Sequence, residues 1–394
     1  TVVTITQGGS GDGTVVIAAG ASRTANATAG GVAAGTVAVS KMQPTAEVAG
    51  STRAYAGEGT ILIAGKLDIT ADATTMAANA HSLAGGFGLA ALVALESKAI
   101  VSGEVEAFIG AQAGDISSAT ASPDISVTGS VVVDADASMR AYADSTGVAA
   151  GAALTVAKIK PTALVNGATR AYVRDGVELD AASLKIEAGS AAGDRVDYTA
   201  EATNFMFGLG GLASINIVDA DAKIQGTVEA FTGAPVGLGV GGSPTGNIVV
   251  GSVITIEAAS DMDANTDLDN VGVGGAFAAT ILVTHSDVAG MTRAFAGQGA
   301  DIVATGLDVK ADGDYDATAE SVAVAVSGGI AAAIVEANAT ISGTVDAHAG
   351  AGANTAPSSS VGTIDVGGGA IDITAIGHML ATPDITAVNA AGLA

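Results

Sequence analysis

The chain has 394 residues and a net charge of −25, set by 40 Asp and Glu against 15 Lys and Arg, and it has neither cysteine nor tryptophan. The shortage of basic residues argues against nucleic acid as a partner, because phosphate binding needs Lys/Arg clusters. The missing thiols exclude disulfides and thiolate metal sites. With 55 glycines and 3% aromatics, any core must be made from Ala, Val, Ile and Thr, which favours thin, closely packed β layers.

Length alone suggests two or three domains, but internal repeats override that prior. The chain begins at Thr1 without an initiator Met or a signal peptide, as expected of a mature or excised segment. No stretch of 18 uncharged apolar residues occurs, so no transmembrane helix is expected. A β-like segment then recurs in order: Val15–Ala19, Leu67–Ala73, Val131–Ala137, Leu184–Ser190, Ile254–Ser260, Leu307–Gly313 and Ile371–Gly377. Their third positions are Ile17, Ile69, Val133, Ile186, Ile256, Val309 and Ile373, spaced 52, 64, 53, 70, 53 and 64 apart. Units of roughly 60 residues therefore alternate short and long, a double repeat near 120. Such a fixed period predicts one continuous array over 1–394, with no separate domains.

Each unit ends in a short closing motif of one of two classes. The basic class reads TRAYAG (Thr52–Gly57), TRAYVR (Thr169–Arg174) and TRAFAG (Thr292–Gly297). The acidic class reads VEAFIG (Val105–Gly110), VEAFTG (Val228–Gly233) and VDAHAG (Val345–Gly350). A glycine stands two residues upstream of each: Gly50, Gly103, Gly167, Gly226, Gly290 and Gly343. Within a unit the period is two. From Ala333 to Ala349 one parity is small and apolar, while the other runs Ile334, Glu336, Asn338, Thr340, Ser342, Thr344, Asp346, His348. That alternation predicts strand, and the many β-branched residues fit helix poorly.

Around Gly210–Gly211, Gly274–Gly275 and Gly328–Gly329 both parities are apolar. This predicts a turn between two interior strands buried on both faces, or a lateral contact with another copy. Two Gly/Ser/Pro-rich insertions, Ala234–Ile248 and Gly350–Gly362, are expected on the surface.

The succession TRAYAG, then LDITADA (Leu67–Ala73), a Gly-rich Ala/Val hairpin and VEAFIG resembles the repeats of very large bacterial filamentous adhesins of the leukotoxin and haemagglutinin-repeat type. The likeness covers nearly the whole chain. It implies a secreted, surface-associated β-solenoid with a structural or adhesive role and no catalytic residues. The strict basic/acidic alternation of the closing motif is a departure.

Other motifs carry less. Asp261–Asn270 opens like a Ca²⁺ loop but has Thr266 and Gly272 where an EF-hand needs Gly and Glu. Read as strands, it and the next unit give acidic rows, Asp261, Asp263, Asp267 and Asp269, then Asp312, Asp314 and Asp316. These are weak Ca²⁺ candidates, the alternative being a solvated face. Gly8–Gly13 and Gly239–Gly242 lack the Lys-Ser/Thr of a P-loop. His81, His285, His348 and His378 show no metal-ligand spacing. A β-helical polysaccharide-active enzyme would need basic or carboxylate groups in a cleft and sugar-stacking rings, which the composition disfavours.

The expectation is thus an all-β, repetitive β-solenoid. Each unit forms either about three coils of roughly 20 residues or one broad rung of two long facing strands. The ends fall inside the repeat, so continuation in a longer chain or self-association into a fibre is expected. The expected role is non-enzymatic, in an extracellular bacterial filament or adhesin; a carbohydrate- or cation-binding surface module is the alternative. In the closing motifs the charge and the ring lie two apart, on one face. Arg53/Tyr55, Glu106/Phe108, Arg170/Tyr172, Glu229/Phe231, Arg293/Phe295 and Asp346/His348 should therefore stack as a charge ladder beside a ring ladder, with each pair of charges exposed.

Overall fold

The computed structural model describes residues 2–4, 13–113, 122–190, 193–234, 246–297, 299–350 and 362–392. These residues contain strands and no helix, and every strand pair is parallel. The long insertions and the glycine strings Gly8–Gly13 and Gly239–Gly242 lie almost wholly outside the described residues.

The unit opening at Ile254 serves as the pattern. A short strand, Gly246–Val250, is followed by a long outgoing strand, Val253–Gly274. A turn at Gly275–Ala276 reverses the chain into the returning strand Phe277–Val288, and Met291–Ala296 closes the unit. The two long strands are not paired with each other. Each pairs with its counterparts in the units before and after, in strict register. The register joins Ile17 to Ile69, Val133, Ile186, Ile256, Val309 and Ile373 in succession. The two-residue period of the sequence therefore fixes the register, since a slip of one residue would turn every buried side chain outward. Pairing partners lie one whole unit apart, which overturns the three-coil geometry. Each unit is one broad layer.

The outlying spacing of 70 has a local cause. Ile186 to Tyr198 spans 12 residues where Val133 to Met139, its register equivalent, spans six. The extra residues begin near Gly189, whose φ is +66°. Among them Arg195 reaches the Ser260 carbonyl (2.9 Å) and the Asp312 carboxylate (3.0 Å) with its guanidinium, tying its unit to the next two.

The outgoing and returning strands face each other across a thin core. Thr266 and Ser286, one from each, share a hydrogen bond of 2.9 Å. One cluster of buried residues runs from Val15 to Ala323, with partly buried residues such as Ala333, Ile341, Val345, Ala347 and Ile364 packed against it. The core tapers. Large side chains stand at its base, Met76, Met139, Tyr198, Met262 and Tyr315, all fully buried. Alanine, serine and threonine follow, then glycine at the tip. A Cβ on Gly272 would lie 2.9 Å from the Thr280 hydroxyl, and one on Gly274 would lie 1.9 Å from the Phe277 carbonyl oxygen, so only glycine lets the strands converge.

At the base, the glycine before each closing motif receives the large residue opposite. A Cβ on Gly103, Gly167, Gly226, Gly290 or Gly343 would collide with Met76, Met139, Tyr198, Met262 or Tyr315 respectively. The first unit has Arg23 in register with Met76, beside Gly50.

The Gly-Gly segments differ from the expectation of strands buried on both faces. The turn forms, but the outward apolar residues flanking it stay at the surface, Phe205, Leu209 and Val322 among them. With only two long strands per layer, nothing else in the described structure lies outside them to cover that face.

Candidate functional site: closing-strand ladder and acidic face

The closing strands Ser51–Ala56, Glu104–Ile109, Ala168–Arg174, Thr227–Gly233, Met291–Ala296 and Thr344–Ala349 make a separate six-stranded parallel sheet. Its register sets Arg53 beside Glu106, then Arg170, Glu229, Arg293 and Asp346. The rings Tyr55, Phe108, Tyr172, Phe231, Phe295 and His348 align in the same way.

The six rings form one stack. Successive centroids lie 4.8, 4.9, 4.8, 4.8 and 5.0 Å apart, with interplanar angles of 4° or less. The spacing is that of hydrogen-bonded strands, so the sheet ladder dictates the ring geometry. The charges alternate beside it. Arg53 donates to Glu106 at 2.6 Å and to Glu104 at 2.5 Å. Arg170 bridges its neighbours, 2.9 Å from Glu229 and 3.5 Å from Glu106. Arg293 stands 3.6 Å from Glu229. Asp346 turns instead to His348 at 3.1 Å, so the last position differs from the others.

The expectation of exposed charge pairs is overturned. The alanines between charge and ring (Ala54, Ala107, Ala171, Ala230, Ala294) point into the main core and are buried, yet the other face is largely covered too. Glu106 is 1% exposed, and Tyr172 and Phe231 are fully buried. Tyr55 is the exception, at 52%. Among the described residues, part of the cover comes from the chain that follows the closing strand Glu104–Ile109. Ala113 packs on the rings and donates its amide to the Tyr172 hydroxyl at 2.8 Å, and Arg174 donates to the Gln112 carbonyl at 2.7 Å. Burial by itself would lower the basicity of Arg170, but the carboxylates of Glu229 and Glu106 outweigh it and raise its pKa.

The acidic rows lie on the outer face of the outgoing strands. Register sets Asp197, Asp261 and Asp314 side by side on three successive strands, and Asp263 beside Asp316. Asp267 adjoins Glu320 and Asp269 adjoins Val322, so these two stand apart from that group. Asp312 is withdrawn from the row: it is buried between Arg195 and Lys310, whose Nζ is 3.5 Å away. Burial, then repulsion from Asp316 and Asp261, pushes the Asp263 carboxyl up to about 6. Asp134, on the same face nearer the base, is likewise pushed up to about 6 by burial and by Glu187. Among the described residues no three carboxylate or imidazole groups converge as a metal site.

Sequence reasoning missed the Met/Tyr–glycine contacts, the Arg195 clip and the polar groups between the facing strands, such as Ser82, Ser97 and Ser145 within 3.0 Å of one another. The glycine upstream of each closing motif was the available signal for the first. No protein-family model, curated protein or solved structure matches the chain.

Proposed function

We propose that this chain is a segment of a β-solenoid that serves as a structural, non-enzymatic element of an extracellular bacterial filament or surface adhesin. One observation carries the reading: the closing strands stack with rings in contact and charges alternating, so each layer complements the next. A wrong phase would set like charges side by side, and the buried charges make that error expensive. Stacked rings add about 0.5–1.5 kcal/mol per pair beyond burial. The array of 1–394 then acts as one continuous rod whose units opened at Val15, Leu67, Val131, Leu184, Ile254, Leu307 and Ile371. The test is negative-stain electron microscopy with sedimentation over a concentration series. Rods or fibres that lengthen with concentration are the expected result; compact, monodisperse particles at all concentrations would overturn the reading.

A cation-associating surface is a second reading, favoured by the adjacency of Asp261 with Asp314 and of Asp263 with Asp316. Divalent cations such as Ca²⁺ would be held between neighbouring strands by the field of several carboxylates rather than in a closed coordination sphere.

A further inference from the structure

The part of each layer nearest the Gly-Gly turn carries no charge; its outward residues are mostly apolar, while inside it holds small and polar side chains such as Ser214, Asn216, Asn270 and Thr280. On the outgoing side Phe207, Val271 and Val324 align on three successive strands, and on the returning side Ile217, Ile281 and Ile334 do the same. Several of the residues around the turn are strongly exposed: Leu212 at 62%, Ile330 at 64% and Ile334 at 62%. Charge returns only at Asp269 and Glu320 on one side, and at Lys158 and Glu336 on the other. Asp269 lies six residues before Gly275, which at about 3.3 Å per residue gives an uncharged edge roughly 20 Å deep.

We infer that this edge inserts into one leaflet of an uncharged phospholipid layer. Three observations select that occupant. First, the edge is thin and apolar on both faces, so a flat protein partner would cover one face and leave the other wet, whereas acyl chains enclose both. Second, the turn backbone is already paired between layers. The Gly211 amide donates to Gly151, Gly275 to Gly210, Ala276 to Leu212 and Ile330 to Ala276, all within 3.1 Å. Backbone groups left unpaired in hydrocarbon cost several kcal/mol each, and between layers that cost is avoided. Third, the charge of −25 repels an anionic membrane but not a zwitterionic one. The depth compares with the roughly 15 Å of hydrocarbon in half a bilayer.

The experiment is co-flotation of the full chain with phosphatidylcholine vesicles at physiological salt. The protein should rise with the vesicles, and the triple substitution F207D, L212D and I330D should reduce the floated fraction at least tenfold with an unchanged circular dichroism spectrum. Thr203→Asp, which adds a charge outside the edge, should float normally. Leu212→Trp gives a reading independent of the triple variant's folding, because the chain has no other Trp: its emission should shift blue on adding vesicles and be quenched by brominated acyl chains. Wild-type protein left at the bottom of the gradient, or a Trp that neither shifts nor quenches, overturns the inference. So does a discrete oligomer that the triple variant dissociates without any vesicle binding, which would assign the edge to a second copy. None of these outcomes bears on rod formation, so the two readings fail separately.

Discussion

At the scale of single residues, the fold depends on glycines whose role is to leave room. Gly167 is the clearest, because the Met139 sulfur lies 2.2 Å from where its Cβ would stand and the Gly103 carbonyl oxygen 2.7 Å away. Gly167→Ala is expected to destabilise by about 1–3 kcal/mol through overpacking. Adding Met139→Ala should recover part of that loss, because the two sites share one space. Denaturant unfolding of the two single variants and the double variant measures this; strictly additive losses would show that the glycine is needed for another reason. Asn204 is a different case. It is buried, and neither its amide nitrogen nor its carbonyl oxygen has a partner among the described residues, while its register neighbour one unit on is Leu268. Burying unpaired polar groups costs stability, so this position weakens the core that surrounds it.

At the scale of elements, the closing sheet and the outer face of the outgoing strands have opposite electrostatics. In the closing sheet, opposite charges alternate. Arg170→Glu would place three carboxylates in a row and leave Glu106, which is buried, without its cation on that side. The expected loss is about 3–5 kcal/mol. Adding Glu106→Arg and Glu229→Arg restores alternation around position 170 and should regain much of it, although Arg53 and Arg293 then meet like charges. A triple variant no more stable than the sum of its three single changes would refute the register role of the charges.

On the outer face, like charges gather. Asp263 faces Asp316, Asp261, Glu201 and Asp197, and Asp134 faces Glu187, Asp136 and Asp72, with the Lys185 ammonium partly offsetting them. Both carboxyls titrate near 6 in the fold against roughly 4 unfolded. Between those values the folded state binds more protons than the unfolded state. Stability from these groups is therefore present at the acid end, falls as pH rises from about 4 to about 6, and stays low above. Melting temperature should rise when pH drops from 7 to 5. Asp263→Asn should raise the stability at pH 7 by about 1 kcal/mol after solvent screening, and flatten the pH slope. A melting temperature that falls on the same acidification, or a variant with no gain at pH 7, would contradict this origin.

For the molecule as a whole, a charge of −25 spread over an extended set of layers opposes the compact state. Cations that accumulate between the paired aspartates should relieve that repulsion by favouring the folded form. Millimolar Ca²⁺ is expected to raise the melting temperature more than NaCl at matched ionic strength. Identical melting curves in Ca²⁺ and in chelator would reduce the acidic rows to a solvated face.

The sequence by itself determined the strand class, the unit length, the register and the two ladders. Each of these follows from periodicity, and the parallel pairing of one unit with the next turns a sequence offset directly into a spatial neighbour. The anchor positions from Ile17 to Ile373 and the charge-ring pairs from Arg53/Tyr55 to Asp346/His348 are all of this kind. Tertiary structure alone decided what covers each face. Alternation states that a residue points away from the core, but not whether another segment lies over it. Glu106 and Tyr172 are buried in part under chain that follows the closing strand Glu104–Ile109, and Asp312 under Arg195 from two units earlier, whereas Phe205 and Ile330, as apolar as any core residue, remain at the surface. Opposition across the core, Met139 against Gly167 or Thr266 against Ser286, was equally hidden, because it depends on where the chain reverses and not on any period.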